Sequence, residues 1–292
     1  MTPYLLLPHM RIHNANALSS LLTVGVPAMT GWLGAVHALE RKIKETDGWG
    51  TVRLLRTGIS FHKTDLQVCR GPGGNFYLAA TANPLTENGE RPPLIGEPRI
   101  HLEVSLLVEL KGVNGDNEEQ FLQAVRRFLP TLKMAGGDIL SVGKIQLLYA
   151  DQETPATIRK VLRALMPGYV LVERRDLMNK EECSEKDSLA RLLYALQITY
   201  TAEKDETGKV LSWTSSRAFR GWVVPISVGY RALTPCGRVR NQRDPSLLHQ
   251  FAENVITLGE FKMPYRFNTV DEILWQYCYD KENEMYLCVN QH

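Results

Sequence analysis

Apolar and polar residues alternate over Tyr4–Ile12, the period of an extended strand whose successive side chains point to opposite faces. Straight alternation puts Leu6, Met10 and Ile12 on one face. Leu5, Leu7, His9, Arg11 and His13 fall on the other, which turns polar as the chain advances. A polar loop follows over Asn14 to Ser20. Thr30 is placed to cap a helix running to about Lys44, with an apolar stripe of Trp32, Leu33, Val36, Leu39 and Ile43. Val52–Phe61 predicts a second strand. His101–Leu110 predicts the cleanest one, with Leu102, Val104, Leu106, Val108 and Leu110 on one face. Glu118–Leu132 has the period of an amphipathic helix, which Gly136-Gly137 breaks off, and Lys144–Tyr149 predicts a further strand. Between residues 63 and 100, Gly71-Pro72-Gly73-Gly74, Asn83-Pro84, Pro92-Pro93 and Gly96 mark a long, loop-rich insertion with room for a hairpin.

The element order β-α-β-β-α-β is the ferredoxin-like, RNA-recognition-motif layout, an α+β class. It predicts a core over residues 1–150, interrupted by a thumb-like insertion at about 63–100. Residues 151–292 form a C-terminal α/β extension with no clean linker before it, so it is expected to pack on the core. Its predicted helices are Pro155–Leu165, Ser188–Thr199, Leu247–Leu258 and Val270–Tyr279. Tyr169–Glu173 predicts a strand. Trp222–Leu233 alternates weakly around Pro225 and Gly229, which suits an edge strand or a loop. No internal repeat is visible.

Composition narrows the class without naming a function. Of 292 residues, 44% are apolar and 23% charged, which excludes disorder as the dominant state. No apolar run approaches a membrane span, and the N-terminus lacks the basic region and cleavage site of a signal peptide. Cys69, Cys183, Cys236, Cys278 and Cys288 show no C-x-x-C spacing. A zinc ribbon is therefore not expected, and a reduced, cytoplasmic compartment is the simplest reading. The net charge is only +2, but its distribution is uneven. The first acidic residue is Glu40, and residues 215–243 hold six arginines and no acid. Residues 244–292 carry eight acids against three bases, a candidate protein-docking face.

Arg217, Arg220, Arg231, Arg238, Arg240 and Arg243 are a candidate polyanion site, because guanidinium groups stay charged and bind phosphate bidentately. Pairing with the acidic C-terminal stretch is the bland alternative. Trp213, Phe219, Trp222 and Tyr230 interleave these arginines and could stack on bases, although Trp222 suits a core equally well. Arg11, His13, Asn14, Asn16, Ser19 and Ser20 supply donors and acceptors in an acid-free stretch. Gly136 and Gly137 would let backbone approach a ligand closely, or simply cap a helix; Asn241 sits within a flexible Gly-Arg-Val-Arg-Asn run. His9, His13 and His37 raise metal-independent RNA cleavage, although spacing does not discriminate and His37 suits a structural role. A lone His101-x-Glu103 does not make a metal site. No P-loop, G-x-G-x-x-G or G-x-S-x-G is present, so enzyme activity, a cofactor and a metal have no direct support.

These blocks resemble a known family. Leu5-Leu6-Leu7-Pro8 through Asn14-Ala15-Asn16-Ala17, then Val36-His37-Ala38-Leu39, are similar to the second subunit of the type I-F CRISPR (Csy) surveillance complex. So are His101–Leu107, Ala135–Leu140, Leu165–Tyr169, Gly221–Ile226, Val239-Arg240-Asn241 and Phe251–Asn254, in order over roughly residues 4–262. The chain is shorter than such relatives around 175–215. The resemblance implies a Cas-five-like fold with a thumb, for which 63–100 is the candidate. It implies a non-catalytic subunit that grips the 5′ handle of the CRISPR RNA, pairs with the large subunit and abuts the first backbone subunit. Target DNA would be met only indirectly, and no membrane is involved. An endoribonuclease that processes precursor CRISPR RNA is the alternative.

Overall fold

The computed structural model describes residues 1–46, 48–79, 85–91, 96–180, 187–242 and 244–290. Arg243, Cys183 and parts of the 63–100 insertion lie outside the described residues. The first half contains β1 (Thr2–Asn16), β2 (Leu18–Ser20), β3 (Thr23–Val24), α1 (Met29–Lys44), β4 (Arg53–Leu66), β5 (Val68–Arg70) and β6 (Phe76–Leu78). There follow β7 (Arg99–Lys111), α2 (Glu118–Phe128), β8 (Lys133–Met134), β9 (Gly137–Ser141) and β10 (Gln146–Ala150). The second half contains α3 (Pro155–Arg163), β11 (Tyr169–Glu173), α4 (Ser188–Leu196), β12 (Ile198–Lys204) and β13 (Val210–Arg217). It ends with β14 (Trp222–Ala232), β15 (Ala252–Lys262), β16 (Gln276–Asp280) and β17 (Met285–Val289).

The architecture is mixed α+β, built on one eleven-stranded sheet in the order β16-β17-β14-β15-β11-β4-β7-β1-β9-β8, with β10 also paired to β1. Every ladder in it is antiparallel. The sheet curls back on itself, so that Trp275, just before β16, bridges to Thr57 on β4. The α1 stripe predicted from periodicity is buried throughout, and α1 and α2 share the main core with β1, β4 and β7. The N-cap is Ala28 with no side-chain cap, so Thr30 lies inside the helix instead of capping it. On the opposite face α3 covers Tyr4, Leu6 and Leu107, which form a second core with Ile158, Val161 and Leu162. The insertion after β4 contains the expected hairpin, β5–β6.

β1 departs from straight alternation. Its ladder with β7 shifts register between Leu7 and Met10 and again between Ile12 and Ala15. At the two shifts His9 (φ 47°) and Asn14 (φ 56°) adopt left-handed backbone, as bulge residues do. Each bulge resets the parity of the strand. Leu5, Leu7, Met10, Ile12 and Ala15 therefore all enter the main core, instead of dividing between two faces. The expected loop over Asn14–Ser20 is also largely strand, since β1 continues to Asn16 and β2 follows.

Three expectations for the second half are corrected. Leu247–Leu258 is not a helix; its C-terminal part is β15, flanked by β14 and β11. Apolar residues at 247, 251, 255 and 258 fit a helical period. However, the four consecutive buried positions Thr257–Glu260 mark a strand covered on both faces. Val270–Tyr279 is a short 3-10 turn followed by β16. Trp222–Ala232 is an interior strand between β15 and β17, admitting a register shift between Ser227 and Gly229.

Gly229 makes that interior position workable. A Cβ there would lie 2.0 Å from the Tyr286 carbonyl oxygen and 2.9 Å from the Leu287 Cα, both backbone. Gly229→Ala is expected to push β17 off β14 and cost about 1–3 kcal/mol, as overpacking does. Thermal unfolding of the variant checks this; an unchanged Tm would show that β17 yields without cost.

Candidate nucleic-acid interface

The C-terminal half of β1 is braced from the side by the turn between β8 and β9. Ala135 (φ 49°) and Gly136 (φ 82°) are its two central residues, both left-handed, as a type I′ hairpin turn requires. Gly136-Gly137 thus forms a hairpin, not a helix C-cap. Gly137 is required by close approach of β1, because a Cβ there would meet Ala15 N, His13 O and Ile12 Cγ2, each at 2.7 Å. Asn16 N–H donates to the Ala135 carbonyl at 2.9 Å. The structure therefore brings His13, Asn14, Asn16, Gly136 and Gly137 together, as one corner of the sheet.

Beyond the cover supplied by α3, the second face of β1, β4 and β7 opens to solvent. His9, Arg11 and His13 are exposed on it. His9 stacks on His62 with ring centroids 4.2 Å apart, and His13 stacks on His101 at 4.3 Å. The first pair is held by a chain of bonds. His9 N–H donates to Ser105 Oγ at 2.9 Å, and Ser105 Oγ lies 2.7 Å from His62 Nε2. His62 Nδ1 donates to the Pro167 carbonyl, which leaves Nε2 to accept from the serine hydroxyl. Burial lowers the His62 pKa below the ordinary imidazole value, and its neighbour His9 adds to this. The His9 ring bonds the Glu103 carboxylate at 2.9 Å; that bond, with help from Lys63, holds Glu103 below the usual carboxylate range. Asn14 N–H donates to His101 Nδ1 at 3.1 Å, fixing the second pair. His101 and Glu103 are thus committed to different partners, and no three metal-ligating side chains converge among the described residues. His37 lies exposed on α1, so the structural role suggested for it has no burial behind it.

Three hollows run along this face and share Lys63. One of about 390 Å³ is bordered by Arg11, His13, Lys63, His101 and Leu140, together with the carboxylates Asp65 and Glu103. A second, of about 340 Å³, lies between His9, His62 and Tyr169. The third, of about 300 Å³, opens where β4 leaves β11 after only two paired residues; Trp222, Tyr169 and Phe261 line it. Among the described residues neither Arg11 nor Lys63 is in an ion pair.

The arginine cluster is dense in sequence but divided in space. Arg217 ends the exposed β12–β13 hairpin, and Arg220 lies in the turn before β14. Arg231 sits at the other end of β14, so about 36 Å of extended chain separates it from Arg220 at ~3.3 Å per residue. Arg238, Arg240 and Asn241 (φ 62°) are exposed in the connection beyond Arg231, where Gln242 ties Val239 N–H to the carbonyls of Asp244 and Leu247. None of these five arginines makes a close ion pair among the described residues, although Glu253 of the acidic stretch lies across the ladder from Arg231.

Ser19 and Ser20 are buried, and their hydroxyls bond Thr23 Oγ1 at 2.8 and 2.7 Å. Their role in this geometry is to shape the β2–β3 loop. Asn254 on β15 donates to the Ser19 carbonyl at 2.8 Å, docking that loop one register step from the Arg231–Glu253 pair. Of the interleaved aromatics, Phe219 is buried, whereas Trp213, Trp222 and Tyr230 are exposed. Sequence reading missed Lys63, His62 and Tyr169. The usable signal was His62-Lys63 at the end of a predicted strand. Their meeting with β1, however, depends on β7 lying between the two strands.

The family model for CRISPR-associated protein (Cas_Csy2) matches residues 5–288. The CRISPR-associated protein Csy2 of Pseudomonas aeruginosa (strain UCBPP-PA14) is 31% identical over 316 aligned residues, which span 97% of this chain and 93% of that relative.

Proposed function

Since this chain belongs to the Cas_Csy2 family of CRISPR-associated proteins, we propose that it is a non-catalytic, RNA-binding subunit of a type I-F CRISPR surveillance complex. In this reading it grips the 5′ handle of the CRISPR RNA and pairs with the large subunit of the complex. It sits beside the first backbone subunit in the cytoplasm and meets target DNA only through the assembled particle. Two features of the fold support an RNA-recognition-motif-like core. β1 lies between β7 and β10, with β4 outside β7, and α1 and α2 pack on one face. The observation that carries the proposal is the open second face of these strands, where Arg11 and Lys63 flank a Glu103 already bonded to His9, make no close ion pair among the described residues and stand between stacked imidazoles. Unstacked RNA exposes base edges and ring faces, which histidines can stack against while cations hold the phosphates. The thumb assignment rests on the β5–β6 hairpin, which projects from the same strand end.

The test is the salt dependence of handle-RNA binding by the purified complex. For single strands log affinity falls by ~0.7 per neutralised phosphate for each unit of log salt. Arg11→Ala combined with Lys63→Ala is expected to flatten the slope by about 1.4, two contacts at ~0.7 each. An unchanged slope would remove this face from the interface. Absence of RNA binding even beside the large subunit would favour a scaffold. A specific cut of repeat RNA in the presence of a chelator, abolished by His13→Ala, would replace the proposal by the endoribonuclease reading.

A further inference from the structure

The aromatic end of the groove has a shape and charge that the open face alone does not explain. Beyond Tyr169↔Phe61, β4 runs on through Lys63 without a paired strand on that side among the described residues, and a hollow of about 300 Å³ remains between it and the β14–β15 pair. That size is at the small end of ligand pockets. Its floor is apolar, made by Phe61, Leu66, Leu102 and Val224, and no acidic residue lines it. Trp222 forms one wall and is 54% exposed, although it begins the interior strand β14. Its ring packs on Phe261, tilted, at 4.9 Å and edgewise on Tyr169 at 5.3 Å. A large indole is thus held rigid with ring surface left to water. Lys63 and His62 stand at the rim, and both nitrogens of His62 are already bonded, so it offers a ring rather than a donor.

We propose that the hollow beside Trp222 receives one unstacked base of the bound RNA, stacked on the indole, with Lys63 holding the adjoining phosphate. This deepens the RNA-binding reading above and rests on it. Charge argues for a base over an apolar side chain of a protein partner. The hollow itself is acid-free, its rim carries the Lys63 ammonium, and through Lys63 it adjoins the Arg11–His13–His101 hollow, where the Glu103 carboxylate is already bonded to His9. A polyanion with planar apolar groups needs all three properties; an apolar side chain needs only the floor. Base stacking on an aromatic platform changes affinity by roughly 10- to 100-fold per base.

The experiment compares the wild-type complex with Trp222→Ala and Trp222→Phe, using RNA that carries the 5′ handle of the host's own repeat and a set of copies with one abasic position each. Trp222→Ala should weaken binding about 10- to 100-fold and Trp222→Phe should restore most of it. One abasic position should weaken wild-type binding by a similar factor yet have little further effect on Trp222→Ala, the signature of two groups in direct contact. Wild-type affinity in Trp222→Ala, alongside the flattened salt slope of the Arg11/Lys63 variant, would overturn the base pocket and leave the RNA reading standing. Loss of a protein subunit from Trp222→Ala complexes, with RNA affinity otherwise unchanged, would assign the hollow to that subunit. No handle binding by the wild-type complex would overturn both.

Discussion

Trp275→Ala is expected to destabilise the chain by about 3–5 kcal/mol, the upper range for emptying a buried aromatic site. The indole is fully buried, and its Nε1–H donates to the Leu171 carbonyl at 2.9 Å. Its backbone exchanges two bonds of 2.9 Å each with Thr57, from N–H to carbonyl in both directions. One residue therefore joins β4, β11 and the entrance to β16, where the sheet curls closed. The substitution leaves a cavity and an unpaired carbonyl together. Trp275→Phe separates these effects: it keeps most of the packing and loses only the hydrogen bond, at about 1–3 kcal/mol for the stranded group. Denaturant unfolding of both variants measures the difference. Equal losses would mean that packing of the indole is not what closes the curl.

Arg174→Met is expected to cost about 3 kcal/mol, because it strands a buried carboxylate. Arg174 donates from Nε and Nη2 to Asp176 at 2.9 and 3.0 Å, and from Nη1 to Glu260, whose side chain is only 7% exposed. Lys262 at 3.2 Å remains as a partner for Glu260, which keeps the expected loss at the low end for a broken buried pair. The pH dependence has a definite sign. Burial alone would raise the Asp176 pKa, but the hydrogen bonds and charge of Arg174 outweigh it and lower it below the ordinary value. A carboxylate depressed in the folded state contributes stability above its unfolded pKa and loses it as pH falls through the folded one. The gap between wild type and Arg174→Met should therefore narrow on acidification, as chemical denaturation at a series of pH values would show. A gap constant down to strongly acidic pH would exclude the Asp176 contribution. The same network reaches the proposed base pocket. Gly221 (φ 113°) packs on the Glu260 carboxylate, where a Cβ would lie 2.3 Å from Oε1, and Trp222 follows directly. Loosening Glu260 should thus also weaken RNA binding.

Much of the fold could be read from local pattern, and the exceptions share a cause. The stripe of α1, the alternation of β7 and the helix at α3 each carry their period within one element, and burial follows it. β15 and β16 were misread because their spacing suits a helix. Only the ladders on either side, formed with strands distant in sequence, settle them as strands. The site divides in the same way. Arg11, His13, Asn14 and Asn16 were visible as a polar, acid-free run, and His13, Asn14 and Asn16 share one corner with Gly136 and Gly137. Ser19 and Ser20 looked like reading groups because sequence shows a hydroxyl but not its burial. The six arginines looked like one patch because distance along a strand does not appear in a count. His62-Lys63, Tyr169 and Trp222 come from three places in the chain and meet only where β4 parts from β11.

The two left-handed residues of β1, His9 and Asn14, also restrict how this chain can change length. Each lets one extra residue loop out without turning the strand over. Removing a single residue between Leu7 and Met10 would delete the extra residue and leave Leu7 and Met10 two apart, still facing the same way on an unbroken pleat. Removing Arg11 instead, where no bulge absorbs the change, would set Met10 and Ile12 next to each other and so on opposite faces, turning the side chains on one side of the break away from the core. Single deletions in this segment should therefore be tolerated at the two bulges and rejected between them, which a library of one-residue deletion variants selected for folded protein would reveal.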